Sequence, residues 1–156
     1  MAGDEREVFW ETPVYDRTQA DVDNAILQIA KWKESGSVAN VALKGCLEAG
    51  DLNRIEDNTQ YLSDILSSLY YFSYVETYMW GMTEIPNIND VNRIIGNVGK
   101  LISAFYKHSA APELPETMLR FEEINSIEKN LYLLKEILDN MIASFRECGT
   151  FKCGED

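Results

Sequence analysis

Histidine, cysteine and proline are scarce in this chain. Its 156 residues include one histidine (His108), three cysteines and four prolines. A lone histidine, with no cysteine or carboxylate at metal-ligand spacing, argues against a zinc site. The odd number of cysteines (Cys46, Cys148 and Cys153), with no CxxC pair, predicts free thiols and a reducing compartment. We therefore expect no metal and no cofactor.

Basic residues are also few. The chain has 14 Lys and Arg against 26 Asp and Glu, a formal net charge of −12. Such an excess repels nucleic-acid phosphates and anionic lipid surfaces. No apolar run approaches the ~20 residues that span a bilayer, and residues 1–7 lack the basic and apolar parts of a secretory signal. We expect a protein made in the cytoplasm whose partners are other proteins, not nucleic acid, membrane or a small molecule.

The motifs that mark common catalytic sites are missing as well. The chain has no GxSxG, no P-loop and no GxGxxG. The adjacent acids Glu122 and Glu123 point apart on a helix, which is typical of a solvated face. A cell-wall hydrolase would need a carboxylate pair or a metal site that we do not find. The sequence therefore predicts a protein that is not an enzyme.

What the chain does contain is a repeated segment. It begins Asp51-Leu-Asn-Arg-Ile-Glu-Asp-Asn and recurs as Asp90-Val-Asn-Arg-Ile-Ile-Gly-Asn and as Glu123-Ile-Asn-Ser-Ile-Glu-Lys-Asn. A fainter copy runs from Asp21 to Trp32. The strongest motif positions are Asp51, Asn53, Arg54, Ile55, Asn58, Asp90, Asn92, Arg93, Asn97, Asn125 and Asn130.

Each copy has the pattern of an amphipathic helix. Its large apolar residues recur at helical spacing, and its acid lies in the first turn, where the helix dipole favours negative charge. The predicted buried stripes are Leu52, Ile55, Leu62, Leu66 and Leu69; Val91, Ile94, Val98, Leu101 and Phe105; and Ile124, Ile127, Leu131, Leu134 and Leu138.

The two asparagines of each copy predict different contacts. The first (Asn53, Asn92, Asn125) lies near the helix start and could bond to the free N–H groups of its own helix, as in a capping box. The second (Asn58, Asn97, Asn130) lies beside the apolar stripe and should be at least half buried. Because a buried unsatisfied amide costs ~1–3 kcal/mol, we expect it to bond to the backbone of a neighbouring extended segment.

These patterns predict an all-α fold, a bundle of about four amphipathic helices joined by extended straps that contain Trp and Pro. We predict helices over 19–34 (capped by Thr18 and ended near Gly36), 51–70, 89–107 (with Asn89 as N-cap) and 116–148, the last bent or restarted near Arg120. Residues 37–50 form a connection, in which a short helix could lie near residues 38–43. The domain organisation is an arm and strap at 1–18, a helical repeat domain at 19–148 and an extended tail at 149–156.

The densest aromatic stretch runs from Tyr70 to Trp80. This stretch could extend the second helix, or it could depart from the helix end as an extended strap. Its side chains could form core, an oligomer interface or a ligand-stacking surface. Glycines in the third helix could let another chain approach closely. The candidate interface residues are Tyr70, Tyr74, Tyr78, Trp80, Gly96 and Gly99.

The same motifs resemble a small helical domain of phage and prophage structural proteins of Gram-positive bacteria, found in tail, baseplate and tail-fibre-associated chains. The resemblance is carried by residues 43–62, by Trp80 with the Ile85-Pro86 and Asp90-Val-Asn-Arg-Ile segments, by 125–130 with 144–151, and by 10–22, and it covers most of the chain. Two positions depart from that pattern. Cys46 stands where an aromatic is usual, and Ile95 replaces the Glu of the other repeats, which removes a potential salt bridge.

The resemblance implies a virion protein, a tail or baseplate component that self-associates and anchors or spaces a fibre. The alternative is a soluble adaptor or assembly chaperone that holds one partner in a groove lined by the aromatics of residues 70–80. The two differ in oligomeric state and in presence within purified particles.

Overall fold

The computed structural model describes residues 7–37 and 43–148, and for 146–148 only the backbone. This part of the chain is all-α, as predicted, and contains no strand. Its helices are α1 (Gln19–Ser35), α2 (Ala49–Ser68), α3 (Ile88–Ala104) and α4 (Phe121–Cys148). We name three extended segments: strap 1 (7–18) before α1, strap 2 (70–87) between α2 and α3, and strap 3 (105–120) between α3 and α4.

The helix starts are fixed by acids. Thr18 and Asp21 form the predicted capping box of α1, and Gly36 ends that helix in a left-handed conformation. Asp51 and Asp90 play the same reciprocal role at the third positions of α2 and α3. The first asparagine of each repeat therefore does not cap its own helix, contrary to expectation, because the neighbouring acid already does so.

Several boundaries differ from the predicted ones. The N-cap of α3 is Asn87, whose side chain accepts from the backbone of Asn89 and Asp90, so Asn89 is not the cap. α3 ends at Ala104, before residue 107. α4 begins at Phe121, not at residue 116, because Glu123 accepts the backbone N–H groups of Leu119 and Arg120 and so fixes the start there.

The aromatic stretch after α2 is a strap and not a helical extension. Tyr70 adopts a left-handed backbone (φ 68°), and the N–H of Tyr71 donates to the carbonyl of Leu66. This geometry closes the last turn of α2 and turns the chain away from it. Strap 2 then continues without regular structure to the start of α3.

The core lies between α2, α3 and α4, which pack against one another. All the predicted stripe residues of α4 are buried, and those of α2 and α3 are buried or half buried. α1 contributes no side chain to this cluster, and its one buried residue is Ala25. The core is therefore a three-helix bundle with the faint fourth copy beside it.

No helix in residues 7–37 or 43–148 is long and apolar enough to cross a bilayer. The short helix considered near residues 38–43 falls almost wholly on residues 38–42, which lie outside the described residues, as does the predicted extended tail at 149–156.

Candidate functional site

The second asparagines tie the straps to the helices, as predicted. Asn58 of α2 donates to the carbonyl of Glu11 (2.8 Å) and accepts its N–H (2.8 Å). Asn97 of α3 makes the same pair with Glu76, at 2.7 and 3.4 Å. Both asparagines are 1 % exposed. Each buried amide therefore has its donor and acceptor satisfied by one backbone residue of a strap.

The third copy makes only half of this pair. Asn130 of α4 donates to the carbonyls of Pro112 (3.0 Å) and Ser126 (2.8 Å), but its Oδ1 is buried with no partner. Proline has no backbone N–H. The strap residue that faces Asn130 therefore cannot supply the donor that Glu11 and Glu76 supply in the other copies.

The first asparagines hold a different part of the straps. Asn53 pairs with both backbone groups of Trp80, at 2.7 and 3.0 Å. Asn125 pairs with those of Arg17, at 3.2 and 2.9 Å. Asn92 is exposed, and within the described residues its side chain makes no such contact. Two straps are thus held at two points, strap 1 between α2 and α4 and strap 2 between α3 and α2.

Ion pairs link the helices in the same direction around the bundle. Arg54 of α2 forms a fork with Glu128 of α4, at 2.7 and 3.0 Å. Arg93 of α3 forms a fork with Glu56 of α2, at 2.5 and 2.9 Å. The hydrogen bonds to Glu56 raise the pKa of Arg93. For Arg54, burial lowers the pKa, but the hydrogen bonds and charges of Glu128 and Asp51 together outweigh burial and raise it above its ordinary value.

These pairs form two parts of a ring of ion pairs around the three helices. The third part, between α4 and α3, lacks both partners. The residue of α4 that corresponds to Arg54 and Arg93 is Ser126, and the residue of α3 that corresponds to Glu56 and Glu128 is Ile95. The sequence predicted that Ile95 removes the acidic partner of a salt bridge, and Ser126 removes the basic partner as well. No charge at this position is left without its counterpart, which avoids the large cost of an unpaired buried ion.

Arg17 is the structural residue that sequence reasoning missed. It is 4 % exposed and bonds to Glu128 (3.1 Å) and Asp51 (2.8 Å). Its guanidinium also donates to the carbonyl of Val14, and Glu128 accepts the N–H of Val14. Arg17 lies outside the repeat, so the repeat gave no signal for it.

Strap 2 carries an apolar surface that faces outward. Tyr70 is 84 % exposed, Tyr74 82 % and Tyr78 48 %. Sequence reasoning did not select four further exposed residues of this segment, namely Phe72, Met79, Met82 and Ile85. We call the set the strap-2 surface: Tyr70, Phe72, Tyr74, Tyr78, Met79, Met82 and Ile85.

The other candidate interface residues do not lie on such a surface. Trp80 is 6 % exposed, and its Nε1 donates to Glu56 (3.2 Å), so its side chain belongs to the core. Gly99 is covered within the chain, since a Cβ there would lie 3.5 Å from Leu114 of strap 3. Gly96 is exposed, with open space where a Cβ would stand. Only Gly96 of this group could admit another chain.

A shallow cavity of about 280 Å³ lies beside the strap-2 surface. The rings of Tyr78 and Trp80 meet edge-on in its wall, with centroids 5.1 Å apart. Glu84 accepts the Gly81 N–H (2.6 Å) and the Tyr78 hydroxyl (2.9 Å), and these bonds hold its pKa below the ordinary value. The remaining lining residues are Ile85 and Asp90.

A larger cavity of about 460 Å³ lies near the start of α4. Its lining includes Arg17, whose bonds are made to Glu128 and Asp51, and Cys46, a half-buried free thiol. Burial raises the pKa of Cys46, which keeps the thiol protonated and poorly nucleophilic. Within the described residues, no group of three or more His, Cys, Asp and Glu side chains is placed to hold a metal ion.

Comparisons with protein families, with curated proteins and with solved structures found no match to this chain.

Proposed function

We propose that this chain is a structural component of a phage or prophage particle, a tail or baseplate protein that self-associates and anchors or spaces a fibre. The observation that carries the proposal is the strap-2 surface. Seven large apolar side chains are exposed within the segment from Tyr70 to Ile85, and such a concentration of exposed apolar residues is typical of an interface with another macromolecule. The assignment to a phage or prophage particle is supported by the sequence resemblance alone.

The way strap 2 is anchored supports an interface held ready for binding. Its backbone is held at Glu76 by Asn97 and at Trp80 by Asn53. A surface that is already ordered loses little conformational entropy when a partner binds. A rigid scaffold with an outward apolar face suits a building block that must join neighbours in one geometry.

The test is the molar mass of the purified protein by size exclusion with light scattering. We expect a discrete oligomer, and we expect Tyr74→Ser with Met82→Ser to dissociate it. The matched control is Tyr106→Ser with Leu119→Ser, which removes two exposed apolar residues (64 % and 89 %) from strap 3 and should leave the oligomer intact. Equal effects of both pairs, or absence of the protein from purified particles of its source phage, would contradict the proposal.

The second candidate is an adaptor or assembly chaperone that uses the same surface for one partner. The exposure of Tyr70, Tyr74 and Tyr78 favours it equally. A monomer that binds a particle protein through this surface, and that is absent from finished particles, would identify the adaptor.

A further inference from the structure

We propose that the cavity beside strap 2 receives a cationic side chain, the guanidinium of an arginine or the ammonium of a lysine, from the protein that covers the strap-2 surface. This inference rests on the proposed function, because it names the chemistry of the partner at that surface. The cavity and the surface share Tyr78 and Ile85, so one partner can contact both.

The walls of the cavity combine the two groups that attract an organic cation. Tyr78, which is half exposed, and Trp80, which is mostly buried, line the cavity with aromatic rings. Aromatic rings attract positive charge at their faces. Glu84 and Asp90 provide carboxylates on the same cavity. An anion would be repelled by the carboxylates, and an apolar ligand would gain nothing from their charge. A cation on an aliphatic stem fits both kinds of wall.

The carboxylates are held in place by the chain's own donors and keep free acceptor sites. Glu84 accepts one hydrogen bond on each oxygen, from Tyr78 and from Gly81. Asp90 accepts the N–H of Asn87 on one oxygen (2.9 Å). An ionised carboxylate has about four lone-pair sites, so each can still accept from a guanidinium or an ammonium.

The Arg93 guanidinium, whose pKa is raised chiefly by Glu56, also senses the charge of Asp90. In the described residues, however, it forms no direct ion pair with Asp90 or Glu84. Residues 55–92 contain no Lys, Arg or His, while their acids are Glu56, Asp57, Asp64, Glu76, Glu84 and Asp90. Arg93, next in sequence, is held by Glu56 and by the carbonyl of Glu76. In the described part of the chain, the ion pairs formed by Lys and Arg do not include Glu84 or Asp90. A cationic side chain from a partner would therefore supply a direct ion pair that Glu84 and Asp90 lack in the described part of the chain.

Charge complementarity identifies the partner as a protein segment with a basic residue among apolar ones. The apolar residues would cover Tyr74, Met79 and Met82, while the basic side chain enters the cavity. A second copy of this chain could present a lysine in this way. The self-association measured by light scattering separates that case from a different partner.

The test is an NMR titration of the full chain with N-acetyl-arginine amide and N-acetyl-lysine amide. The neutral control ligand is N-acetyl-citrulline amide, which has the shape of the arginine compound without its charge. The readout is the N–H shift of Gly81 and the indole N–H shift of Trp80. We expect weak, saturable shifts with the two cations, stronger than with citrulline.

Variants make the result specific to the cavity. We expect Glu84→Gln to weaken binding of the arginine compound about fivefold, because a charge-assisted contact is lost while the side-chain shape stays. Glu136→Gln, an exposed residue of α4, should leave it unchanged. Equal shifts with citrulline, no saturable shift, or equal effects of both variants would overturn the inference. The NMR titration measures cation binding and does not depend on self-association. The proposed function is tested separately by the molar mass of the protein.

Discussion

At the scale of single side chains, asparagine holds the straps to the bundle. Its amide carries a donor and an acceptor spaced to meet the C=O and N–H of one extended residue. Asn53, Asn58, Asn97 and Asn125 each satisfy both backbone groups of one strap residue. Extended backbone beside a packed core needs such partners, because buried peptide groups without hydrogen bonds are costly.

Asn58→Ala is expected to lower the free energy of unfolding by about 2 kcal/mol, because it removes two hydrogen bonds and leaves Glu11 unpaired. The matched control is Asn92→Ala, the same substitution at an exposed position of the repeat. It should change stability by no more than about 0.5 kcal/mol. Urea unfolding measures both, and similar losses in the two variants would refute the assigned role of Asn58.

Pro112→Ala is expected to stabilise the protein by about 0.5–1 kcal/mol, since the new N–H can reach the unpartnered Oδ1 of Asn130 and this gain exceeds the entropy that proline removes from the unfolded chain. Pro115→Ala in the same strap is the control, and it should destabilise by about 0.5 kcal/mol. Thermal and urea unfolding give the comparison. A loss of stability in Pro112→Ala as large as that in the control would show that Asn130 gains nothing.

At the scale of elements, the helices were largely predictable, and the straps were predictable only in part. Apolar spacing placed α2, α3 and α4 and their buried faces, because a helix shows its periodicity in its own residues. The capping box of Thr18 and Asp21 and the end at Gly36 were equally local signals. The start of α4 was not, since residues 116–120 continue the chain as strap 3 up to the point where Glu123 caps the helix.

The ring of ion pairs between helices predicts that a third pair can be introduced between α3 and α4. Ile95→Glu alone should destabilise by about 1–3 kcal/mol, because it places an unpaired carboxylate on a half-buried position. Adding Ser126→Arg should recover at least about 1 kcal/mol of that loss, as an interaction energy in a double-mutant cycle. Urea unfolding of the four proteins measures it.

The control cycle replaces Ser126→Arg by Ser144→Arg, the same change at an exposed position far along α4. It should give an interaction energy near zero. If both double-mutant cycles give the same interaction energy, the recovered stability reflects the change in net charge and not an ion pair between α3 and α4.

At the scale of the whole molecule, α1 stands apart from the three helices that share the core. α1 and α3 have the same length, 17 residues, yet α3 buries four residues and α1 only Ala25. Helical stability in proteins comes mainly from packing of an apolar face. The faint fourth repeat thus forms a helix without joining the bundle.

Native-state hydrogen exchange should therefore show α1 opening separately. We expect amides of α1 to exchange with an opening free energy at least about 2 kcal/mol below that of α3, and with little dependence on low urea concentrations. α3 is the length-matched reference within the same sample. Exchange of α1 and α3 at the same free energy would mean that α1 unfolds with the core.

The sequence determined the helical class, the repeat, the apolar faces and the burial of the second asparagines, because each of these is written in the spacing of neighbouring residues. Tertiary structure decided which strap each asparagine holds, how Arg17 enters the ion network and why Trp80 is buried while Tyr74 is exposed. Those contacts join residues far apart in the chain, such as Arg17 and Glu128, and depend on which helices become neighbours. The cavity of Tyr78, Trp80, Glu84 and Asp90 has the same origin, since strap 2 must fold back onto α3 before its walls meet.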